Sequence, residues 1–547
     1  MRRLGALQSQ IAAGSAAEPA LLSDAQVKQF VVDGFIALPI RELGSSFHRR
    51  VYDKSKAAFA RIGAQGHHDA RVVFGELPEM TDVLRSPTLT GALTSVLGAD
   101  YVQHPHRSMH VKELGATSVG ADQAWHKDGH HVPMRHHFPR WIICFYYPHA
   151  TTEDMGPTGI LPGSQLLQMG RHANLSPSSL IDPESPLFNQ GDMSNEDLAA
   201  RDRYLRASVD ALDPSLEEHK VSEYCEYGGT VFMLHFGMLH RACRNLPGSI
   251  WRNMFKFQFF RSSAPTAPTW AHICGTEPDP FGYTGASPAQ KAVWEASWRW
   301  MLGGASPPPS PAADHLGSAG GGEVAALHEA LMRNTAERER VCAAYALAKA
   351  GAVAQLEDAL VHGSEDASRS ALYGIMAVGD AAVPALLHAL TTSHDERCWV
   401  VPNAAHALTD AIRTSSRQAL DSLRAVLQDR AEQMTHAVAA ELESAAAAAA
   451  AAAATASVQS QPAKGSSKAA ESKSKPNPLR KYMAAAAAEA GLDHPAAVLR
   501  YEIATVIQCL GTLGERAVSQ GDAAVAAGVA EALLPFTMNG TSTYTYS

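Results

Sequence analysis

GGTVFMLHFGMLHRACRNLPGSIWRNMFKFQFF, Gly228 to Phe260, is the stretch on which the reading of this chain turns. Two glycines open a turn, and the run TVFML after them has the β-branched, apolar character of a strand. A second such run, NMFKFQFF, closes the stretch, and Asn, Pro and Gly between the two mark a turn. His240, Asn245 and Arg252 lie in between. In a continuous strand His235 and His240 have opposite parity, so they face opposite sides. Arg252 shares its parity with Met254, Lys256 and Gln258. A barrel interior with a second cation beside the arginine is odd unless its mouth is wet.

Upstream, AWHKDGHHVPMRHHFPRW, Ala124 to Trp141, holds five histidines and one aspartate. In a strand, residues two apart share a face, so His126 and Asp128 can set an imidazole beside a carboxylate. One more histidine makes a two-His, one-carboxylate triad, which leaves adjacent positions open on an octahedral iron. The triplet alone also fits a surface turn. His130, His131, His136 and His137 follow without periodicity and read as a solvated loop over the metal. In the other reading one of them, with Arg135 or Arg140, meets an anionic group of a substrate.

Further strand-like runs are RVVFG (71–75), SMHVKEL (108–114) and WIICFYY (141–147). SDAQVKQFVVDG (23–34) and SPAQKAVWEASWRWML (287–302) read as helices, the second with Ser287 as N-cap and Pro288 at the first helical position. Its Trp294, Trp298 and Trp300 are expected to pack against the sheet.

Four blocks now stand in order: LLSDAQVKQFVVDGFIALP (21–39), WHKD (125–128), MGPTGILPGSQ (155–165) and GGTVFML…LHRACRN followed by Arg252. Over about 20–262 the chain resembles the phytanoyl-CoA dioxygenase family in these blocks. The resemblance implies a double-stranded β-helix (jelly roll) with flanking helices. It implies His126, Asp128 and His240 as ligands of Fe(2+), and Arg252 as the anchor of the distal carboxylate of 2-oxoglutarate. Tyr146 takes the place of an aromatic residue lining that cosubstrate, and Asn245 that of a structural hydrogen-bonder. His240 is favoured over its rival His235 because the Asn and Arg spacings are counted from it. Two positions depart from the family: Ala242 stands where a serine is usual, and Gln165 where a histidine is usual. Neither is a ligand.

The implied activity is a 2-oxoglutarate-dependent non-haem iron dioxygenase. It would use O2 to hydroxylate an unactivated C–H of a small-molecule, lipid or acyl substrate, releasing succinate and CO2. Asp128 argues for hydroxylation, since related halogenases keep that position small for chloride. His130, His131 and Arg135 are the substrate-facing candidates. Two rival readings stay open: an interaction scaffold with an inactive jelly roll, and another cupin-like metalloenzyme.

The chain has 547 residues, 46% apolar and 18% charged, with a net charge of -9. Length implies about three or four units. The acidic balance and the lack of a basic stripe argue against a nucleic-acid partner. Seven scattered cysteines without a CxxC pair point to an intracellular, reducing compartment, cytoplasmic by default. The N-terminal Arg3, Leu4, Gln10 and Ile11 loosely resemble a peroxisomal signal. No membrane span is expected.

The expected organisation is a flexible N-terminus (1–20), the jelly-roll domain (21–302), and a Pro/Gly linker (303–322). An α-helical solenoid of HEAT-like repeats (323–444) follows, then an Ala tract and Ser/Lys/Pro linker (445–478), a further helical repeat (479–537) and a tail (538–547). The repeat shows as RVCAAYALAKAGAVAQLEDAL (340–360) echoed by RSALYGIMAVGDAAVPALLHAL (369–390). Tyr345 matches Tyr373, and Gly351 matches Gly379. These segments resemble HEAT-like repeats, which implies a protein partner on that surface.

Overall fold

The computed structural model describes residues 18–62, 70–112, 122–128, 136–167, 194–246, 251–273, 279–303, 321–391, 397, 399–411, 417–433, 506–507, 510, 513–514, 517–518 and 520–538. The segments 1–17, 304–320, 434–505 and 539–547 lie outside them, as do His130, His131 and Arg135. The expectations for the N-terminus, both linkers and the tail therefore fall outside the described residues. Two compact units emerge: residues 1–169 with 176–350, and 170–175 with 351–547.

The first unit begins with helix α1 (Asp24–Asp33), whose N-cap Ser23 forms a capping box with Gln26; each residue satisfies an amide that the helix cannot. Strand β1 (Phe35–Pro39) follows. Four helices come next: α2 (Ser45–Ile62), α3 (Ala70–Glu76), α4 (Met80–Leu84) and α5 (Pro87–Leu97). RVVFG, read above as a strand, lies in α3. Val73 is buried in this helix, so the tertiary setting overrides the β-propensity of the two valines.

Seven more strands are β2 (Val102–Lys112), β3 (Trp141–Tyr147), β4 (Thr158–Ile160), β5 (His219–Lys220), β6 (Thr230–His235), β7 (His240–Ala242) and β8 (Arg252–Phe260). They form two antiparallel sheets, in the orders β1-β6-β3-β8-β2 and β5-β4-β7. Ile143, Phe145 and Tyr147 of β3, Phe232 and Leu234 of β6, and Met254 of β8 share one apolar cluster with Ile160 of β4 and Val221. The sheets thus face each other across this core, an arrangement of the jelly-roll type. β3 and β6 are buried on both faces, hence their unbroken apolar runs.

Helix α6 (Asn195–Leu212) and helix α7 (Pro288–Met301) complete the flanks. Ser287 caps α7 and accepts from Gln290 N, as its sequence implies. The rings of the α7 tryptophans meet aromatic rings of the loops, and Lys28 of α1 lies over the Trp298 ring. Trp294 lies against Phe281, Trp298 against Trp270, and Trp300 stacks on Phe138 at 5.1 Å. Helices α8 (Gly321–Arg333) and α9 (Glu337–Lys349) also belong to this unit. Lys349 pairs with Glu295 of α7 at 2.7 Å. The compact unit therefore runs to Ala350, past the Pro/Gly segment at which the sequence places a border.

The second unit holds α10 (Val353–His362), α11 (Glu365–Val378), α12 (Val383–Thr391), α13 (Val400–Ala411) and α14 (Ala523–Met538), with residues 417–433 also helical. Leu356, Leu360, Leu372, Ile375, Leu386 and Leu390 are buried among them. The echo read in the sequence corresponds to two helix–glycine–helix segments, with Gly351 and Gly379 both at positive φ (71° and 78°). Glu365–Thr391 is the one stretch among the described residues long and apolar enough to cross a membrane, and most of it is buried against protein.

Gly156 precedes β4 at φ 69°, and a Cβ there would lie 2.8 Å from Cys243 O. Gly156→Ala should cost about 1–3 kcal/mol of stability. Chemical denaturation would read this as a lowered midpoint, and an unchanged midpoint would contradict the close approach.

Candidate metal centre

The segment 122–128 runs antiparallel beside β7. His126 N donates to His240 O at 3.1 Å, and His240 N donates to His126 O at 3.0 Å. Gln123 N donates to Ala242 O at 2.8 Å, while Ala242 N donates to Gln123 Oε1 at 3.1 Å. This pairing sets two histidines directly opposite each other, with ring centroids 4.4 Å apart. Asp128, two residues on, falls on the same side. Its Oδ1 lies 3.8 Å from His240 Nε2. One ligand atom from each of His126, Asp128 and His240 lies within 4.8 Å of the others.

Both imidazoles are oriented by carbonyls. His126 Nδ1 is 3.0 Å from Ala124 O, and His240 Nδ1 is 3.1 Å from Met238 O. A proton on each Nδ1 leaves the Nε2 lone pairs for a metal. Burial lowers the His126 pKa to about 3, so the ring is neutral and ready to bind. Burial alone would raise the Asp128 carboxyl, but Lys256, His240 and His126 outweigh it and hold it well below the usual range.

A charged network fastens the segment. Arg201 of α6 donates from Nε and Nη2 to Asp122 O at 3.1 and 2.9 Å. The Asp122 carboxylate accepts from Arg244 N at 2.6 Å and lies 3.3 Å from Arg241 Nη1. Arg241 also grips Glu218 through two bonds, at 3.0 and 2.7 Å. On the opposite side of the segment, Lys127 Nζ donates to Ser164 O at 2.9 Å and to Leu167 O. Ser164 Oγ accepts from Leu239 N at 2.9 Å. The Pro-Gly-Ser block therefore ties down the neighbours of two ligand positions.

Below the triad, β8 contributes Lys256 and Gln258. They pair in register with Phe145 and Ile143 of β3, and Phe145 lies 5.4 Å from the His240 ring. Lys256 Nζ forms an ion pair with Asp128 Oδ2. Gln258 Nε2 donates to the same oxygen at 3.5 Å. This accounts for the second cation on the face of Arg252: it has a partly buried carboxylate to pair with.

Arg252 is 2% exposed, and its Nε and Nη1 have no hydrogen-bond partner among the described residues. Burial lowers its pKa. Near it, burial pushes the Tyr147 phenol up to about 12, with the Arg252 charge acting in the opposite direction. The Tyr147 and Thr158 hydroxyls are 2.6 Å apart.

Other sequence candidates lie elsewhere. Tyr146 faces away from the triad; its OH bonds His48 Nδ1 at 2.7 Å. Strand alternation puts its neighbours Phe145 and Tyr147 on the inner face instead. His235 also faces outward, with Gly237 N donating to its Nδ1 at 3.0 Å. Asn245 bridges to Met155 beyond β7, in a structural place. His137, read as part of a solvated loop, is buried, and its Nδ1 is 3.0 Å from Tyr345 OH of α9. Arg140 lies over the Trp300 ring at 5.1 Å. Ala242 stands opposite Thr158 on the β4–β7 ladder, so the hydroxyl on that face comes from Thr158. Gln165 donates to Val32 O at 3.1 Å, at the end of α1.

Lys256, Gln258, Tyr147 and Thr158 line the candidate site without a motif of their own in the sequence. For the first two, shared parity with Arg252 was the available signal. For the hydroxyl pair, no local pattern marks a contact between two strands.

No curated protein matches the chain. Among solved structures it is similar to the non-heme alpha ketoglutarate dependent carbocyclase SnoK from nogalamycin biosynthesis. That match has 14% identity over 50% of this chain and 95% of that one, with a TM-score of 0.32. It is also similar to the epimerase SnoN in complex with Fe3+, alpha ketoglutarate and nogalamycin RO (13% identity, 47% and 92% of the chains, TM-score 0.29). A third is HygX from Streptomyces hygroscopicus with iron bound (13% identity, 47% and 94%, TM-score 0.29). These likenesses are remote. The family described as phytanoyl-CoA dioxygenase (PhyH) matches residues 26–253, a span that includes His126, Asp128, His240 and Arg252. Over those residues the chain is similar to the phytanoyl-CoA dioxygenase family.

Proposed function

We propose that this domain is an Fe(II)- and 2-oxoglutarate-dependent dioxygenase that hydroxylates an unactivated C–H bond of a small-molecule or acyl substrate. The observation that carries the reading is the buried guanidinium of Arg252, with two nitrogens unpaired, inside the same sheet interior as the triad. Buried guanidinium nitrogens left unpaired among the described residues are costly. A dicarboxylate bound to the metal by one end removes that cost with the other.

The residues fit the group. Two imidazole nitrogens and one carboxylate oxygen within 4.8 Å of one another suit iron with adjacent open positions. When bound, iron with 2-oxoglutarate and O2 supplies the oxidising chemistry, yielding succinate and CO2. The protein's own part is placement. His126, Asp128 and His240 would hold the metal. Arg252 would take the distal carboxylate through its planar fork, with the Tyr147 and Thr158 hydroxyls as further donors. Phe145 and Ile160, both buried, wall the site against water. His130, His131 and Arg135 are proposed to meet an anionic part of the substrate. The helical repeats are proposed to serve a protein partner.

Two results are expected. Asp128→Ala and His240→Ala should lose stoichiometric Fe(II) binding by anaerobic calorimetry, whereas His235→Ala, which faces away, should keep it; the reverse order for the histidines would sink the ligand set. Arg252→Ala should leave metal binding intact and weaken 2-oxoglutarate binding by about two to three orders of magnitude, the effect of removing one partner of a desolvated charge pair. Titration of 2-oxoglutarate into the anaerobic Fe(II) protein, followed by charge-transfer absorbance, reads this directly. Unchanged affinity would remove the cosubstrate assignment.

A further inference from the structure

We propose that Lys256 is a positioning residue of the metal centre, its ammonium holding Asp128 Oδ2 so that the carboxylate coordinates through Oδ1 alone. The inference rests on the metal reading above and deepens it. The two carboxylate oxygens have different surroundings. Oδ1 faces His240 Nε2 at 3.8 Å. Oδ2 is taken by Lys256 Nζ and, at 3.5 Å, by Gln258 Nε2. Both donors stand on β8, two residues apart, and are 8% and 6% exposed, so solvent screens the ion pair little.

An oxygen held in a desolvated ion pair cannot become a second metal ligand without breaking that pair. A chelating aspartate would consume one more position beside the metal, and the capped one leaves it open. The same ammonium also repels the metal's charge. Removing it therefore acts twice in one direction: Oδ2 becomes free to coordinate, and an opposing charge leaves.

The test uses the full-length, metal-free chain and Co(II) as the probe, with affinity from chelator competition and geometry from the d–d absorption bands. Lys256→Met should bind Co(II) roughly ten- to a hundredfold more tightly, the range over which partners of metal ligands act, with an altered band shape. Lys256→Gln, uncharged but still a donor, should bind more tightly with the wild-type band shape. It also carries the comparison if the Met variant does not fold, as judged by thermal melting. Wild-type or weaker affinity in the folded variants overturns the role of Lys256. A wild-type chain that binds no Co(II) overturns the metal reading itself, and this inference with it.

Discussion

Two backbone hydrogen bonds between His126 and His240 organise everything at the centre of this domain. They join a segment outside the named strands to the short strand β7, and by strand geometry they decide which side chains meet. Opposed residues in an antiparallel ladder sit side by side, so the two imidazoles converge without any contact between them having to select it. Asp128 then follows by alternation. Most of the surrounding polar structure keeps this pairing in register: Arg201, Asp122 and Arg244 at one end, Lys127 and Ser164 at the other.

That register is held with buried charge, which water would otherwise stabilise. The charges lie in two groups. Outside the ligand face, Asp122, Glu218, Arg241 and Arg244 neutralise one another. Inside it, Asp128 is matched by Lys256. Arg252, on the same strand, has two buried nitrogens unpaired among the described residues. One interior cation is thus paired within the protein, and on the function proposed above the other would take a ligand's carboxylate.

The sequence disclosed the ligand positions because they lie in local patterns: a His-x-Asp triplet, and a histidine twelve residues before an arginine. It disclosed most strands because their apolar runs are long. It reads RVVFG as a strand through its β-branched pair, whereas the structure folds that run into α3. It assigned Tyr146 to the interior by analogy, whereas strand alternation from Phe145, beside His240, turns Tyr146 outward to His48. His137 looked solvated because its partner, Tyr345, is 208 residues away in sequence.

The sequence by itself determined which residue types are present at which spacing: a His-x-Asp triplet, a later histidine, an arginine twelve residues beyond it, and two similar apolar segments further on. Only the tertiary structure decided that Lys256 and Gln258 cap Asp128, that Tyr147 and Thr158 share a hydrogen bond near Arg252, and that α9 belongs to the same compact unit as the sheets. Periodicity along one strand tells which residues share a face. What that face meets is set by the strand or helix packed against it, and that choice is made by burial and charge pairing across the whole unit.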